Sequence, residues 1–148
     1  MPSLAPEIAV NRIPVFFYGS FMRREVLMRG GFEPDAIEVA RLNGFDISCC
    51  PHAYIGRSDQ HAIYGILVRA THEELHRLYT MSGVGVFLPE AVVVETSAGR
   101  LHPAMCYIPP FREDKPADAE YVGHLVAAAR GYGFPDWYIA RLEALRAA

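Results

Sequence analysis

The tetrad Tyr18-Gly19-Ser20-Phe21 constrains the fold most strongly, because it joins a buried strand directly to a helix. It follows the apolar run Ile13-Pro14-Val15-Phe16-Phe17, and a helix is predicted from Met22 to Arg29. Such a turn leaves the backbone N–H groups of residues 19–21 without partners at a helix N-terminus, where the helix dipole also favours an anion. The tetrad therefore predicts either a binding site for a small carboxylate or an ordinary strand-to-helix turn.

Length and composition narrow the class of protein. The length of 148 residues suits one domain with a single sizeable core. Apolar residues make up 51% of the chain and charged residues 21%, a composition that indicates a globular protein. The net charge of −3 gives no reason to expect a nucleic acid or an anionic membrane as partner. Apolar runs are shorter than the about 20 residues of a membrane span. No signal peptide is evident, and Cys49, Cys50 and Cys106 do not suit a disulfide framework, so we expect a cytoplasmic setting.

The hydrophobic pattern predicts a loose N-terminal arm over residues 1–12 and one domain over residues 13–148. Strands are predicted at 13–18, within 33–50, and at 61–68, 86–95 and 101–108; helices at 22–29, 71–82, 119–130 and 135–145; and a loop at 51–60. Thr71 and Glu74 have the spacing of a capping box at the start of the middle helix. Strands outnumber helices and do not alternate strictly with them, which favours an α+β domain around a curled, mixed sheet.

The order of these motifs resembles that of the γ-glutamyl cyclotransferase-like proteins over residues 13–142. The motifs that carry the resemblance are the tetrad, then Tyr64-Gly65-Ile66-Leu67, then a helix closing on Gly83 and followed by Phe87, then Met105-Cys106-Tyr107-Ile108, and finally residues 131–142. The fourth residue of the tetrad is usually aliphatic in the family, where this chain has Phe21.

The resemblance implies a small mixed β-barrel flanked by helices, with a small-molecule ligand at the barrel mouth. It also implies release of 5-oxoproline from γ-glutamyl amino acids, γ-glutamyl amines or related amides. In that reaction the substrate's own α-amino group attacks its γ-carbonyl carbon, so the entropic cost of bringing two reactants together is largely removed. In the family picture Tyr18, Gly19, Ser20 and Phe21 hold the substrate. Tyr107 and Tyr138 approach the pocket, where they either bind the ligand or simply pack.

Family members carry their acid/base glutamate immediately before a glycine at the end of the middle helix, and Ser82 occupies that place here. A serine hydroxyl does not titrate near neutral pH, so it cannot act as a carboxylate base. Glu90 is the possible substitute that could turn toward the barrel mouth, although a solvated glutamate at a strand edge is the alternative reading. Glu74 should point away from the site because it lies eight residues earlier on the helix.

Other combinations of reactive residues are weaker. Cys49-Cys50-Pro51-His52 suggests a Cys–His nucleophile or, with His102 and Cys106, a metal site, but the spacings match no zinc pattern and free cysteines are commonly buried hydrophobes. His72 and His76 lie one turn apart on the middle helix without a nearby third ligand. We expect no metal and no cofactor.

Three functional hypotheses remain open at this point. The first is an enzyme acting on a γ-glutamyl amide or amine, with Glu90 or a substrate group replacing the missing base. The second is a non-catalytic pocket protein that binds a small amino-acid derivative. The third is a changed acyl-transfer or lyase-type chemistry in which Ser82 orients the ligand rather than exchanging a proton.

Overall fold

The computed structural model describes residues 11–146, so most of the predicted arm, residues 1–10, lies outside the described residues. Its strands are β1 (Ile13–Phe17), β2 (Glu38–Cys49), β3 (Ala53–Ala70), β4 (Leu88–Thr96) and β5 (Leu101–Ile108). Its helices are α1 (Arg24–Arg29), α2 (His72–Tyr79), α3 (Ala119–Tyr132) and α4 (Asp136–Leu145), with a 3-10 turn at Ser20–Met22 before α1. None of the helices within residues 11–146 has the length and apolar character that crossing a bilayer requires.

The five strands close into a barrel in the order β1-β3-β2-β4-β5. β1 runs antiparallel to β3, with Ile13 opposite Ala70, and parallel to β5, with Val15 opposite Met105. The other pairings, β2 with β3 and β4 and β4 with β5, are antiparallel. The expected α+β fold, a small mixed β-barrel flanked by helices, is therefore confirmed.

The predicted loop at residues 51–60 is wrong, because these residues belong mostly to β3. Cys49 lies opposite Ala53 and Phe45 opposite Arg57, so a connection of only three residues joins β2 to β3. Ala53 and Ile55 are buried, whereas Arg57 is exposed. Residues 53–57 are thus held in the sheet by pairing with β2, which satisfies their backbone groups, whereas residues 58–61 have no partner in the pairing of the two strands. An irregularity between Asn43 and Phe45 shifts the register of the two strands.

The predicted capping box is present at the start of α2. The Thr71 hydroxyl accepts a hydrogen bond of 3.0 Å from the Glu74 N–H, and the Glu74 carboxylate accepts one of 2.8 Å from the Thr71 N–H. The helix ends at Tyr79, earlier than the predicted residue 82, so Ser82 lies in the connection to β4 rather than on the helix. The predicted helix from Met22 likewise divides into the 3-10 turn and α1.

A close contact between β1 and β3 explains a glycine in the barrel wall. A Cβ atom on Gly65 would lie 2.2 Å from the Phe17 carbonyl oxygen and 2.7 Å from Cζ of the fully buried Phe16. Because real Cβ atoms do not approach other heavy atoms so closely, only glycine lets the two strands pair here. This pairing fixes the end of β1, from which the tetrad leaves the barrel.

Candidate functional site

A cavity of about 400 Å³ opens where β1 ends. Its walls come from the tetrad, from α1, from the connection between β2 and β3, from the segment between α2 and β4, and from single residues of β5 and α3. The lining residues are Phe16, Phe17, Tyr18, Gly19, Ser20, Phe21, Arg23, Val26, Arg29, His52, Ala53, Tyr79, Met81, Ser82, Gly83, Val84, Phe87, Tyr107 and Tyr121. The structure thus brings all four residues of the tetrad together with Ser82 and Tyr107 around one cavity.

Two local backbone hydrogen bonds form the turn by which the tetrad leaves the barrel. The N–H groups of Met22 and Arg23 donate to the carbonyl oxygens of Gly19 and Ser20, each at 3.0 Å. Within residues 11–146, the N–H groups of Gly19 and Phe21 find no hydrogen-bond acceptor. Two backbone donors beside the cavity are therefore free to meet an acceptor from a ligand.

The backbone amide of Ser20 lies against the phenol of Tyr121, a residue of α3. The Tyr121 oxygen lies against the N–H and hydroxyl of Ser20 and the N–H of Ala53. A Cβ atom on Gly19 would lie 3.2 Å from that oxygen and 3.3 Å from Cβ of Ala53, so a glycine allows the close packing. Burial raises the pKa of Tyr121 to about 12, so this phenol keeps its proton at neutral pH. Tyr121 thus covers the Ser20 amide, so of the three amides predicted to hold a carboxylate only those of Gly19 and Phe21 are without a partner among the described residues.

Three further tyrosines line the cavity. The Tyr18 hydroxyl donates a hydrogen bond of 2.9 Å to the Tyr107 carbonyl oxygen, and the ring of Tyr79 stacks on that of Tyr107 with centroids 4.1 Å apart. Tyr79 also meets Phe21 edge to face, at 5.1 Å. Burial is the main cause of a raised pKa at Tyr18, Tyr79 and Tyr107. These phenols are therefore neutral and can act as hydrogen-bond donors but not as bases at neutral pH.

The charged groups around the cavity are cationic. Arg23 and Arg29 line it along one side of α1, and Arg23 also forms a salt bridge of 2.7 Å with Glu25. Among the described residues, no aspartate or glutamate lines the cavity. Because arginine stays protonated and its guanidinium pairs well with carboxylates, the cavity favours an anionic ligand.

The two positions predicted to be catalytic are separated in the structure. Ser82 lines the cavity, in the segment between α2 and β4. Glu90 does not line it: it lies on β4 opposite Cys106 and forms a salt bridge with Arg57. The structure thus places Glu90 as the alternative reading has it, at a strand, with its carboxylate paired to Arg57 of β3 and outside the cavity lining. Glu74 is likewise engaged elsewhere, at the capping box and with Arg12 at 3.0 Å.

Tyr138 also lies away from the cavity that the tetrad lines. It is 1% exposed on α4, where its ring packs 5.5 Å from that of Tyr64 and 6.0 Å from that of Phe134. Of the two readings given for Tyr138, ligand binding or packing, the structure shows the packing role, since the residue packs α4 against β3. Tyr107 does line the cavity, as expected.

Sequence reasoning missed the two arginines, Tyr79 and Tyr121 as cavity residues, and it gave little weight to His52. Arg23 and Arg29 lie at both ends of the predicted first helix, and their spacing with Val26 offered a signal for a shared face. Tyr121 offered none, since only the packing of α3 on the barrel brings it to the tetrad. The three cysteines are buried, and within residues 11–146 no group of three or more histidine, cysteine, aspartate or glutamate residues is arranged to hold a metal ion.

Comparisons with known proteins identify the fold. No protein-family model matches the chain, and no curated protein matches its sequence. Among solved structures, the chain is similar to a protein named γ-glutamyl cyclotransferase, with a TM-score of 0.73 and 23% identity over 90% of this chain and 87% of that chain. A human protein described as uncharacterized gives a TM-score of 0.74 and 23% identity, covering 90% of this chain and 88% of that one.

A γ-glutamyl cyclotransferase from yeast, described as specific to glutathione, gives a TM-score of 0.62. It is 12% identical, and the match covers 93% of this chain and 96% of that chain. The chain therefore has the γ-glutamyl cyclotransferase-like fold. Function has to be argued from the site, because one fold can serve several activities.

Proposed function

We propose that the chain acts on a small γ-glutamyl amide or amine and releases 5-oxoproline. The observation that carries this proposal is the pair of amides at Gly19 and Phe21, which have no partner among the described residues and belong to residues that line a cavity with arginines and neutral phenols. A γ-glutamyl group carries an α-carboxylate that suits those donors. The cavity lies in a fold shared with proteins named γ-glutamyl cyclotransferase.

The reaction asks little of the protein beyond binding and orientation. The nucleophile and the electrophile belong to one molecule, so holding the chain folded back on itself supplies much of the rate enhancement. The two amides would hold the α-carboxylate, and a phenol such as Tyr107 would donate to the γ-carbonyl oxygen as negative charge develops there. One proton-transfer group is still needed, because the attacking ammonium must lose protons and the departing amine must gain them.

A second candidate function is favoured by the charges of the cavity. No carboxylate lines it in the part of the chain that the structure describes, and Ser82 stands where the family carries its glutamate. On this reading the protein is a non-catalytic pocket protein that binds a small amino-acid-derived carboxylate. The same site residues serve both candidates, so only turnover separates them.

The experiment compares the wild-type protein with its Ser82→Glu and Ser82→Ala variants. Each is incubated with a panel of γ-glutamyl amino acids and γ-glutamyl amines, and 5-oxoproline is quantified; binding of the same compounds is measured by calorimetry. Wild-type release of 5-oxoproline supports the enzyme. Binding without release, followed by release from Ser82→Glu, supports the pocket protein.

Absence of both binding and release across the panel, in a protein with a normal thermal unfolding midpoint, would refute both candidates. Loss of a wild-type activity in Ser82→Ala, with no activity in Ser82→Glu, would instead indicate that the serine hydroxyl orients the ligand in a changed chemistry. Glu90→Gln is the matched carboxylate control, because Glu90 lies outside the cavity lining and we expect its loss to leave release unchanged.

A further inference from the structure

We infer that His52 is the proton-transfer residue of this site, in place of the carboxylate that the cavity lacks. The inference rests on the proposed release of 5-oxoproline and names the residue that moves the protons.

The other ionisable or hydroxyl-bearing side chains around the cavity cannot serve as a base. Burial keeps the phenols of Tyr18, Tyr79 and Tyr121 protonated, since it raises their pKa values. The arginines remain protonated, and the hydroxyls of Ser20 and Ser82 do not titrate near neutral pH. Of the lining residues that the structure describes, His52 carries the side chain that most often acts as a general acid and base in enzymes.

His52 is held beside the amides of the tetrad. It is the last residue of the connection between β2 and β3, where its carbonyl oxygen accepts a 3.0 Å hydrogen bond from the Cys50 N–H. Its ring lies 4.6 Å from the ring of Tyr121, centroid to centroid, at an angle of 37°. The oxygen of that tyrosine faces Ser20 and approaches Gly19. The imidazole therefore lies on the same side of the cavity as the proposed carboxylate grip, and it is exposed enough to be reached by a ligand.

The proton balance of the reaction fits a single shuttle of this kind. The α-nitrogen changes from an ammonium to a lactam N–H and gives up two protons. The departing nitrogen changes from an amide N–H to an ammonium and gains two. The bond from the α-nitrogen to the γ-carbon forms, and the bond from the γ-carbon to the departing nitrogen breaks. His52 accepts each proton from the α-nitrogen and returns it to the departing nitrogen, so that it ends in its starting state and no other reactant is required.

Groups from neighbouring parts of the chain lie close to the turn that carries His52. The Tyr121 phenol from α3 is a neutral neighbour, because burial raises its pKa to about 12, and Cys50 lies in the same turn as a buried free thiol. The Asp118 carboxylate lies next to the same turn, since its N–H donates to the Pro51 carbonyl oxygen at 3.2 Å. That carboxylate caps α3 by accepting from the N–H groups of residues 120 and 121.

Arg23 and Arg29 are the fixed cations of the cavity. The neutral imidazole is the form that accepts a proton from the substrate. The value of kcat/KM of the wild type is therefore expected to rise with pH.

The test uses the full-length protein with the γ-glutamyl compound that is turned over fastest. We expect His52→Gln to lower kcat by about 100-fold or more while KM changes little, and to abolish the rise of kcat/KM with pH. The double variant His52→Gln with Ser82→Glu is expected to regain activity, because a carboxylate then supplies the missing base. His124→Gln is the matched control, since this exposed histidine lies on α3 outside the cavity lining.

The outcomes separate the two proposals. Wild-type activity that survives in His52→Gln within about threefold, with the pH profile unchanged, would overturn the role of His52 and leave the proposed function standing. Absence of release from the wild type, with or without a gain in Ser82→Glu, would overturn both the wild-type activity and this role. Equal loss in His52→Gln and in the double variant, with a lowered thermal midpoint in each, would indicate a structural role and would also overturn the inference.

Discussion

Replacement of Gly65 by alanine tests whether the packing of β1 against β3 limits the stability of this barrel. The new Cβ atom would lie 2.2 Å from the Phe17 carbonyl oxygen, and 2.7 Å and 2.9 Å from two ring carbons of Phe16. Ordinary contacts begin at 3.4 Å, so the strands must separate by about 1.2 Å. The backbone conformation of Gly65 is not in the left-handed region, so the effect is purely steric.

Two terms give the magnitude. Overpacking a tight core costs about 1–3 kcal/mol, and loss of one or two ladder hydrogen bonds near Phe17 and Ile66 costs about 0.5–1.5 kcal/mol each. Replacing glycine reduces the entropy of the unfolded chain and returns about 0.4–1 kcal/mol. We therefore expect Gly65→Ala to lower the free energy of unfolding by about 2–4 kcal/mol, a large part of the about 5–15 kcal/mol of a typical domain.

Gly56→Ala is the matched control on the same strand. Its Cβ atom would meet Tyr54 at 3.5 Å, an ordinary contact, so its free energy of unfolding should stay within about 1 kcal/mol of the wild type. Urea unfolding of both variants, followed by far-UV circular dichroism, measures the difference. Equal stabilities of the two variants would refute the steric reasoning.

Three further outcomes follow from particular contacts. Gly19→Ala should weaken binding of γ-glutamyl ligands about tenfold or more, because its Cβ atom would lie 3.2 Å from the Tyr121 oxygen and crowd the tetrad. Calorimetry measures the affinity and thermal unfolding the stability, which should change little; an unchanged affinity would contradict the proposed binding of the carboxylate by the tetrad. Thr71→Ala should cost about 1 kcal/mol in urea unfolding, because the capping box of α2 loses its side-chain acceptor; no change would show that α2 does not depend on its cap. Burial raises the pKa values of Tyr18, Tyr79 and Tyr121 in the folded protein, whereas tyrosines of the unfolded chain titrate at pH about 10. The free energy of unfolding should therefore be highest below pH about 10 and fall above it, as the unfolded phenols ionise. Thermal unfolding midpoints that stay flat between pH 8 and about 12 would contradict the burial of these phenols.

The predictions from sequence succeeded where the signal was local. The capping box at Thr71 and Glu74 and the strands predicted at 86–95 and 101–108 depend on residues close together in the chain, and they are present as the cap of α2 and as β4 and β5. The loop predicted at residues 51–60 failed because its polar residues show no strong pattern of their own. Residues 53–57 lie in a strand because β2 pairs with them across the three-residue connection, and residues 58–60 continue that strand at the irregularity opposite Asn43 and Phe45.

The amino-acid sequence by itself determined the mixed α+β character of the chain and the tetrad at the end of β1. Only the tertiary structure decided which side chains share the cavity. It excluded Glu90 and Tyr138 and brought Tyr121, His52 and the two arginines to the tetrad. The physical reason is that helix caps and strand periodicity arise from neighbouring residues. The surroundings of a reactive group, by contrast, depend on how the barrel closes and on where α3 packs, and both result from contacts between residues far apart in the chain.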